Sequence, residues 1–345
     1  MTTSYSILLN ADHDHHTLMQ LARQIEARGF STLWYADERF YRETYTGLAV
    51  CAMVTERLLL GTGVTDPYTR HPALTAMAAG SLDELSGGRA VIGFGAGRAG
   101  YHNIGITLER PARRIREAIE IIKRLLAGEH LDYDGEIFKT NDLSLKFPTR
   151  ADIPIVLAGD GPQVLRVAGA LADGVMIGHC ASPKILAERM AFVREGQERA
   201  GRTQGPRVVV RLDASVSHDG EAGMYQAKVR LGRYLWIRYP EISYLPQHGL
   251  TMPAELDRRF REAGPANRTH DLRVFERFAD LIPDEFVRPI KLAGTPADVK
   301  EQMAALIAAG ADEIMAFPLV PCGETVSSTI DCIAEAAGIG QGASA

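Results

Sequence analysis

The chain has 345 residues, 46% of them hydrophobic and 23% charged, which is the composition of an ordinary globular protein with a large apolar core. The chain has 38 Lys and Arg residues and 43 Asp and Glu residues. The resulting net charge of -5 argues against nucleic acid or an anionic membrane as a partner. The 4 cysteines lack the paired spacing of a zinc site or a disulfide framework, and the sequence carries no signal-peptide pattern or transmembrane run. We therefore expect a cytoplasmic protein.

The first part of the chain alternates short apolar segments with helical patterns. Leu18, Leu21, Ala22 and Ile25 have the spacing of one helix face, and Gly29 ends that helix. Strands are predicted at 7–10, 33–35, 58–60 and 90–94, and helices at 17–28 and 73–85. This alternation is typical of parallel βα units.

The loop at 61–72 is the most informative segment. Gly61 and Gly63 allow close backbone approaches, whereas Pro67 and Pro72 fix the backbone and remove hydrogen-bond donors. The loop follows a buried strand and leads into a helix. A strand, a stiffened loop and a helix in this order are how α/β enzymes present a site at the carboxyl ends of their strands.

Two segments interrupt the alternation. The pair Asp134-Gly135 between apolar and aromatic residues predicts a β-hairpin inserted at about 131–147. A longer insertion, at about 218–290, is rich in Arg, Tyr and Pro and precedes a helix that begins at Thr295 and Pro296. It is either a structural excursion that covers the barrel or a dimer face, or a lid or substrate wall before the last strand.

Further strands predicted at 155–157, 175–177, 208–212 and 313–316 bring the number of βα units to about eight. That number favours an α/β fold of the TIM (β/α)₈ barrel type with insertions, as a single domain over 1–345. An open doubly wound sheet is the alternative. The barrel is favoured because strands and helices alternate nearly to the C-terminus and the amino-acid composition does not change along the chain.

Three loops after predicted strands contain glycines, and each could expose backbone N–H groups to an anion. The second loop leads directly into a helix near Pro162, where the helix dipole favours a phosphate. The first resembles a dinucleotide fingerprint but lies too far into the chain and lacks the acidic residue that should follow. Together the three loops favour a phosphorylated cofactor over the alternative that the glycines only form tight turns. The loops are 93–101, 158–162 and 178–182.

These motifs, in this order, resemble the bacterial luciferase-like superfamily of flavin- and F420-dependent oxidoreductases. The similarity spans most of the chain, and the run Pro-Tyr-Thr-Arg-His-Pro most resembles the F420-dependent methylenetetrahydromethanopterin reductase branch. The segments that carry the similarity are 33–38, 61–72, 82–89, 93–97 and 158–162.

The resemblance implies a TIM barrel that holds a flavin or deazaflavin at the carboxyl ends of its strands, with the phosphate near the loops after strands five and six. It also implies a non-prolyl cis peptide behind the ring, at Gly63–Val64 here, and a contact between the ring system and Asp37. The residues expected to bind the cofactor are Asp37, Thr62, Gly63, Val64, Gly95, Ala96, Gly97, Ala158, Gly159, Asp160, Gly161, Gly178, His179 and Cys180.

Two positions depart from the related sugar-phosphate dehydrogenases. Glu38 stands where those enzymes have a catalytic His, and Arg98 stands where they have a Glu, so a sugar phosphate is a poor substrate candidate. Glu38 is a candidate general acid or base if burial raises its pKa, and a salt bridge with Arg39 or Arg42 is the structural alternative. Arg98 suits an anionic substrate or cofactor group, or it is simply solvated.

Other classes of function have weaker support. His13 and His15 after the first strand have the spacing that begins a metal-dependent hydrolase site, but the last strand offers no Asp to complete it. We therefore expect no metal, and place His13 near the substrate. A non-catalytic flavin-binding subunit is a further alternative, since the superfamily contains such members.

The expected function is hydride transfer between reduced coenzyme F420 and an unsaturated or imine-like small molecule, with Glu38 or a neighbour donating the proton. The alternative is an FMN-dependent monooxygenase that uses reduced flavin and oxygen. The resemblance further implies a homodimer or higher homo-oligomer.

Overall fold

The computed structural model describes residues 3–97, 100–264 and 271–340. These residues form eleven strands: β1 (Ser4–Leu9), β2 (Thr32–Tyr35), β3 (Leu59–Thr62), β4 (Ala90–Gly95), β5 (Leu131–Asp134), β6 (Lys139–Leu143), β7 (Ile155–Ala158), β8 (Gly174–Gly178), β9 (Arg207–Val216), β10 (Lys291–Gly294) and β11 (Glu313–Pro318). Eight of them pair in the closed ring β1-β2-β3-β4-β7-β8-β9-β11, in which β11 returns to β1. The predicted TIM barrel is confirmed, and the open doubly wound sheet is wrong.

Helices follow the strands of the ring as predicted, and their ends have local causes. The Asp14 carboxylate accepts from the Thr17 amide at the start of α1, and Gly87 ends α3 in the left-handed region at φ 69°. The helices of the ring are α1 (His15–Ala27), α2 (Thr44–Ala52), α3 (Pro72–Ser86), α4 (Pro111–Leu126), α5 (Pro162–Leu171), α6 (Pro183–Arg199), α12 (Pro296–Ala308) and α13 (Val326–Ala337); α7–α11 belong to the long insertion. Among the described helices, none combines the length and apolarity needed to cross a membrane.

The chain divides into two compact units. The first unit comprises Met1–Gly178, Lys184–Arg211 and Ala309–Met315, and the second comprises His179–Pro183, Leu212–Ala308 and Ala316–Ala345. The boundary runs through β9. Its first half pairs with β8 within the first unit, and its second half pairs with β10 within the second unit. A single domain over 1–345 stays a prediction.

The interior of the first unit explains two glycines of its strands. The Trp34 ring fills the space beside β3 and β4, so that a Cβ added at Gly61 would lie 2.4 Å from Trp34 Cε3. At Gly93 the obstacle is backbone, because a Cβ there would lie 1.8 Å from the Thr62 carbonyl oxygen. Both positions therefore require glycine for close packing rather than for a turn.

The barrel floor contains a buried carboxylate, Glu313, which is only 4% exposed. It accepts hydrogen bonds from the Ser6 hydroxyl at 2.6 Å and the Trp34 indole N–H at 3.1 Å, and pairs with Arg207 at 3.4 Å. These four residues come from β1, β2, β9 and β11. The polar cluster thus ties together strands on both sides of the point where the ring closes.

The two predicted insertions differ in secondary structure. Strands β5 and β6 form an antiparallel pair, which confirms the hairpin within 131–147. The segment 218–290 is mainly helical, with its own aromatic core around Trp236, Phe260 and Phe278. Its helices are α7 (Gly220–Arg238), α8 (Tyr244–Gln247), α9 (Ala254–Ala263), α10 (Arg273–Ala279) and α11 (Asp284–Val287). Strand β10 follows it and was not predicted, because its four residues carry no alternation to distinguish them from a loop.

Candidate functional site

Asp66 organises the loop that links β3 to α3. Its carboxylate is 1% exposed and accepts from the Tyr68 amide at 2.7 Å, the Thr69 amide at 2.8 Å and the Thr69 hydroxyl at 2.8 Å. Side-chain acceptance from amides two and three residues later is an Asx turn. The stiffness predicted from the prolines of this loop therefore also depends on a buried carboxylate.

Arg39 connects this loop to the loops after β2 and β4. Its guanidinium pairs with Asp66 at 2.7 Å and lies 4.0 Å from the centre of the Tyr101 ring. The Tyr101 hydroxyl in turn donates to the Ala96 carbonyl. Gly97, at φ 62°, fits beneath this arrangement, because a Cβ there would lie 2.8 Å from Arg39 Nη2. Three loops at the carboxyl ends of neighbouring strands are thereby fixed to one another.

The peptide bond between Gly63 and Val64 is cis, as the resemblance implied. A Cβ added at Gly63 would lie 2.5 Å from Leu8 Cδ1, and one added at Gly95 would lie 3.1 Å from Val64 Cγ2 and from the Ala158 carbonyl oxygen. Glycine at position 63 thus leaves room for the Leu8 side chain of β1, and glycine at position 95 lets the backbones of β4 and β7 approach each other.

A cavity of about 420 Å³ lies in the first unit at these carboxyl ends. Six of its 17 lining residues are glycines, so a large part of its wall is bare backbone. Ten residues that the sequence predicted for cofactor binding line it: Gly63, Val64, Gly95, Ala96, Gly97, Ala158, Gly159, Asp160, Gly161 and Gly178. The structure therefore brings together predicted residues that lie as far apart in the chain as Gly63 and Gly178.

One end of the cavity is the N-terminus of α5. Gly161 occupies the N-cap position and Pro162 the first helical position, and no side chain of the described residues caps the helix. The first amides of α5 therefore lack the partner that a Ser or Asp cap would supply. Beside them, Arg189 donates to the Gly178 carbonyl at 2.8 Å and pairs with Asp160 at 3.2 Å. The positive partial charge at the helix N-terminus suits an anion such as phosphate, and Arg189 offsets the negative charge of Asp160 beside it.

Asp37 and Glu38 follow β2 and are partly buried. Burial raises the pKa of the Asp37 carboxyl, and the Thr65 hydroxyl and the Arg70 guanidinium offset this only in part. Thr65 directly follows Val64, which lines the cavity. The salt bridge considered for Glu38 does not form among the described residues, because Arg39 pairs with Asp66 and Arg42 donates to the Asp12 carbonyl.

The other predicted site residues lie outside the cavity lining. Thr62 is 1% exposed, and its hydroxyl donates to the Gly93 carbonyl at 2.7 Å, a bond between neighbouring strands. His13 lies 3.7 Å from the Asp12 carboxylate. His179 and Cys180 belong to the second unit, where the His179 ring centre is 5.8 Å from that of Tyr234. Arg98 lies outside the described residues, and all these assignments stay predictions.

Sequence reasoning missed part of the cavity wall. Most of the missed residues are apolar and carry no signal that separates a cavity wall from a core. Arg211 did carry one, because it is a charged residue inside the strand predicted at 208–212. The missed residues are Leu8, Leu108, Pro111, Ile115, Val164, Met176 and Arg211.

The hydrolase alternative required a cluster of metal ligands around His13 and His15. Within the part of the chain that the structure describes, no three His, Cys, Asp or Glu side chains are grouped so as to hold a metal ion. His15 instead forms the first turn of α1.

Comparison with known proteins agrees with the glycine-lined site. Residues 3–313 match the family model described as luciferase-like monooxygenase. The chain belongs to this family. A family member from Archaeoglobus fulgidus, a 5,10-methylenetetrahydromethanopterin reductase, is 35% identical over 307 residues, which cover 88% of this chain and 90% of the relative.

Two further family members define the range of similarity. An F420-dependent glucose-6-phosphate dehydrogenase from Kineococcus radiotolerans is 34% identical over 206 residues, covering 54% of this chain and 60% of the relative. The solved structure of a coenzyme F420 dependent tetrahydromethanopterin reductase from Methanopyrus kandleri superposes with a TM-score of 0.85 at 27% identity, covering 97% of this chain and 98% of the other. The similarity to the reductases thus extends over nearly the whole chain.

Proposed function

We propose that this protein is an F420-dependent oxidoreductase that transfers a hydride between the deazaflavin and an unsaturated or imine-like small molecule. The observation that carries the proposal is the glycine-lined cavity that ends at the uncapped N-terminus of α5. The Methanopyrus kandleri reductase, which matches nearly the whole chain, is described as coenzyme F420 dependent, and this supports the same cofactor here.

The residues present suit such a cofactor at both ends. The amides that follow Gly161, with Arg189 beside them, would hold the phosphate. Gly63, Val64 and Gly95 would form the surface behind the ring, and a Cβ at either glycine would meet neighbouring protein atoms at 3.1 Å or less. When bound, the reduced deazaflavin supplies a hydride from ring carbon C5.

The chain's own contribution would be positioning and proton transfer. Asp37 would contact the ring system, and its raised pKa keeps a proton available at higher pH than for an exposed Asp. Glu38 is the second candidate for the proton donor. His13, Arg98, Thr62, His179 and Cys180 remain candidates for contacts with substrate or cofactor.

An FMN-dependent monooxygenase is the second candidate. The same cavity and the same α5 N-terminus would hold the phosphate of FMN, and the family as a whole is described as monooxygenase.

Binding measurements separate these candidates. The purified protein is titrated with F420, FMN and free riboflavin, and binding is followed by fluorescence. We expect F420 to bind at least tenfold more tightly than FMN, equivalent to about 1.4 kcal/mol. Tight binding of FMN without binding of F420 would reject the first candidate. Bound F420 that neither accepts a hydride from any tested donor nor donates one would reject the proposed hydride transfer.

We further propose a homodimer in the cytoplasm. Helix α3 presents Leu74, Met77 and Leu85 on one face, and these side chains are 48%, 44% and 49% exposed. Spacings of three and eight residues place them on one side of a helix. A second copy of the chain would bury this face through two-fold symmetry.

A further inference from the structure

A groove of about 570 Å³ lies between α4, α5 and α6 in the first unit. Gly169 and Gly196 bring α5 and α6 close together, since a Cβ at Gly196 would lie 2.0 Å from the Arg166 carbonyl oxygen. Small residues, among them Ala112 and Gly196, leave room along the groove. Its lining contains four arginines, Arg113, Arg116, Arg166 and Arg199, and no acidic residue among the described ones.

The positive charge of the groove is only partly compensated. Arg166 and Arg199 share one carboxylate, that of Glu195, at 2.7 Å and 3.8 Å. Arg113 pairs with the Glu117 carboxylate at 3.3 Å and also with Glu136. Arg116 is partly buried, and within the described residues it forms no ion pair. A partly buried guanidinium without a carboxylate partner favours the binding of an anion.

The groove shares two helices with the cofactor cavity. On α4, Pro111 and Ile115 line the cavity, whereas Ala112 and Arg116 line the groove. On α5, Gly161 and Val164 line the cavity, whereas Gln163, Arg166 and Val167 line the groove. The first turns of α4 and α5 therefore contribute residues both to the cavity and to the groove.

We propose that this arginine groove binds the carboxylate-bearing tail that continues from the phosphate of the deazaflavin. The inference rests on the proposed function. Arg116 and Arg199 would pair with carboxylates of the tail, and the groove would distinguish a tailed deazaflavin phosphate from a mononucleotide of the same ring and phosphate.

The test compares two ligands and three single variants. The ligands are F420 and the deazaflavin 5′-phosphate that lacks the tail, and the variants are Arg116→Gln, Arg199→Gln and Arg23→Gln. Arg23 is exposed on α1 and controls for the loss of one positive charge. Dissociation constants are measured by fluorescence at several salt concentrations, because pairing of partly exposed charges weakens as salt rises.

We expect Arg116→Gln and Arg199→Gln each to weaken F420 binding by about three- to fivefold at low salt. Binding of the tail-free ligand, and both affinities of Arg23→Gln, should stay at the wild-type values. Equal affinities of the wild type for the two deazaflavins, or an equal loss for both in Arg116→Gln and Arg199→Gln, would overturn the groove assignment alone. Failure of the wild type to bind either deazaflavin would instead reject the proposed function. Arg199 is 72% exposed, so its substitution tests the groove even if Arg116→Gln is poorly folded.

Discussion

The Asp37 carboxyl combines a functional position with an unfavourable environment. Burial raises its pKa above the ordinary value of 3.8, so the folded protein retains the proton to higher pH than the unfolded chain does. Stability contributed by this proton is present below 3.8 and is lost as pH rises through the folded pKa. Above that range, the ionised Asp37 lowers the free energy of unfolding.

Asp37→Asn should therefore stabilise the protein at pH 8 while weakening deazaflavin binding. We expect a rise of about 1–3 °C in Tm at pH 8 that shrinks as the pH falls toward 4, because Asn cannot ionise. Thermal melting across this pH range measures it. Asp298→Asn is the control and should lower the Tm at pH 8, since hydrogen bonds from Thr295 lower the pKa of Asp298. A lower Tm of Asp37→Asn at pH 8 would contradict the argument.

The sequence indicated some of these residues and not others, for physical reasons. Gly63 and Gly161 were found because glycine loops after strands have a local pattern. Arg39 and Asp66 were not recognised as a pair, because 27 residues separate them and the ion pair exists only once two loops meet. The sequence likewise did not indicate that the Thr62 hydroxyl donates to the Gly93 carbonyl of the neighbouring strand.

At the level of elements, the start of α5 offers a test of the phosphate assignment. Gly161 has an ordinary φ of -81°, and a Cβ there would meet nothing within 4 Å, so Gly161→Ala should fold normally. The added methyl group would lie at the helix N-terminus and obstruct the approach of a phosphate. We expect about tenfold weaker F420 binding, with unchanged binding of the unphosphorylated deazariboflavin, in fluorescence titrations. An equal loss for both ligands would show that the methyl group disturbs the ring site instead.

The exposed apolar face of α3 tests the proposed dimer. Met77→Glu places a charge on that face, and burying an unpaired charge in an interface is costly, so we expect a monomer. Ile104→Glu is the matched control, because Ile104 is 47% exposed but lies outside the face. Sedimentation velocity or light scattering of wild type and both variants gives the masses. A dimeric Met77→Glu would place the interface elsewhere.

At the scale of the whole molecule, closure of the ring depends on buried polar contacts as well as on strand pairing. Glu313→Ala would leave the Trp34 indole and the Arg207 guanidinium without their carboxylate partner. We expect a loss of about 3–5 kcal/mol in the free energy of unfolding, and a smaller loss for Glu313→Gln, which retains an acceptor oxygen. Urea denaturation measures both. Equal losses in the two variants would mean that the side-chain oxygen contributes little.

The ring itself was predictable because apolar strands and amphipathic helices repeat with a regular spacing. Segment 218–290 was not, since its core of Trp236, Phe260 and Phe278 joins helices whose order follows no repeat. Strand β10 was missed for a related reason. Its residues Lys291–Gly294 are recognisable as a strand only through pairing with β9, and Lys291 is buried there against Asp213 at 2.6 Å.

The ten-residue strand β9 pairs with different partners along its length, and this has a consequence for how such a protein can diversify. Pairing of Arg207–Arg211 with β8 is complete before the chain leaves for the helices after residue 216. The region between residue 216 and β10 can therefore change in length and sequence, while the ring and its glycine loops keep their hydrogen bonds. Such changes would leave the cavity wall in place, because the last residue that lines the cavity is Arg211.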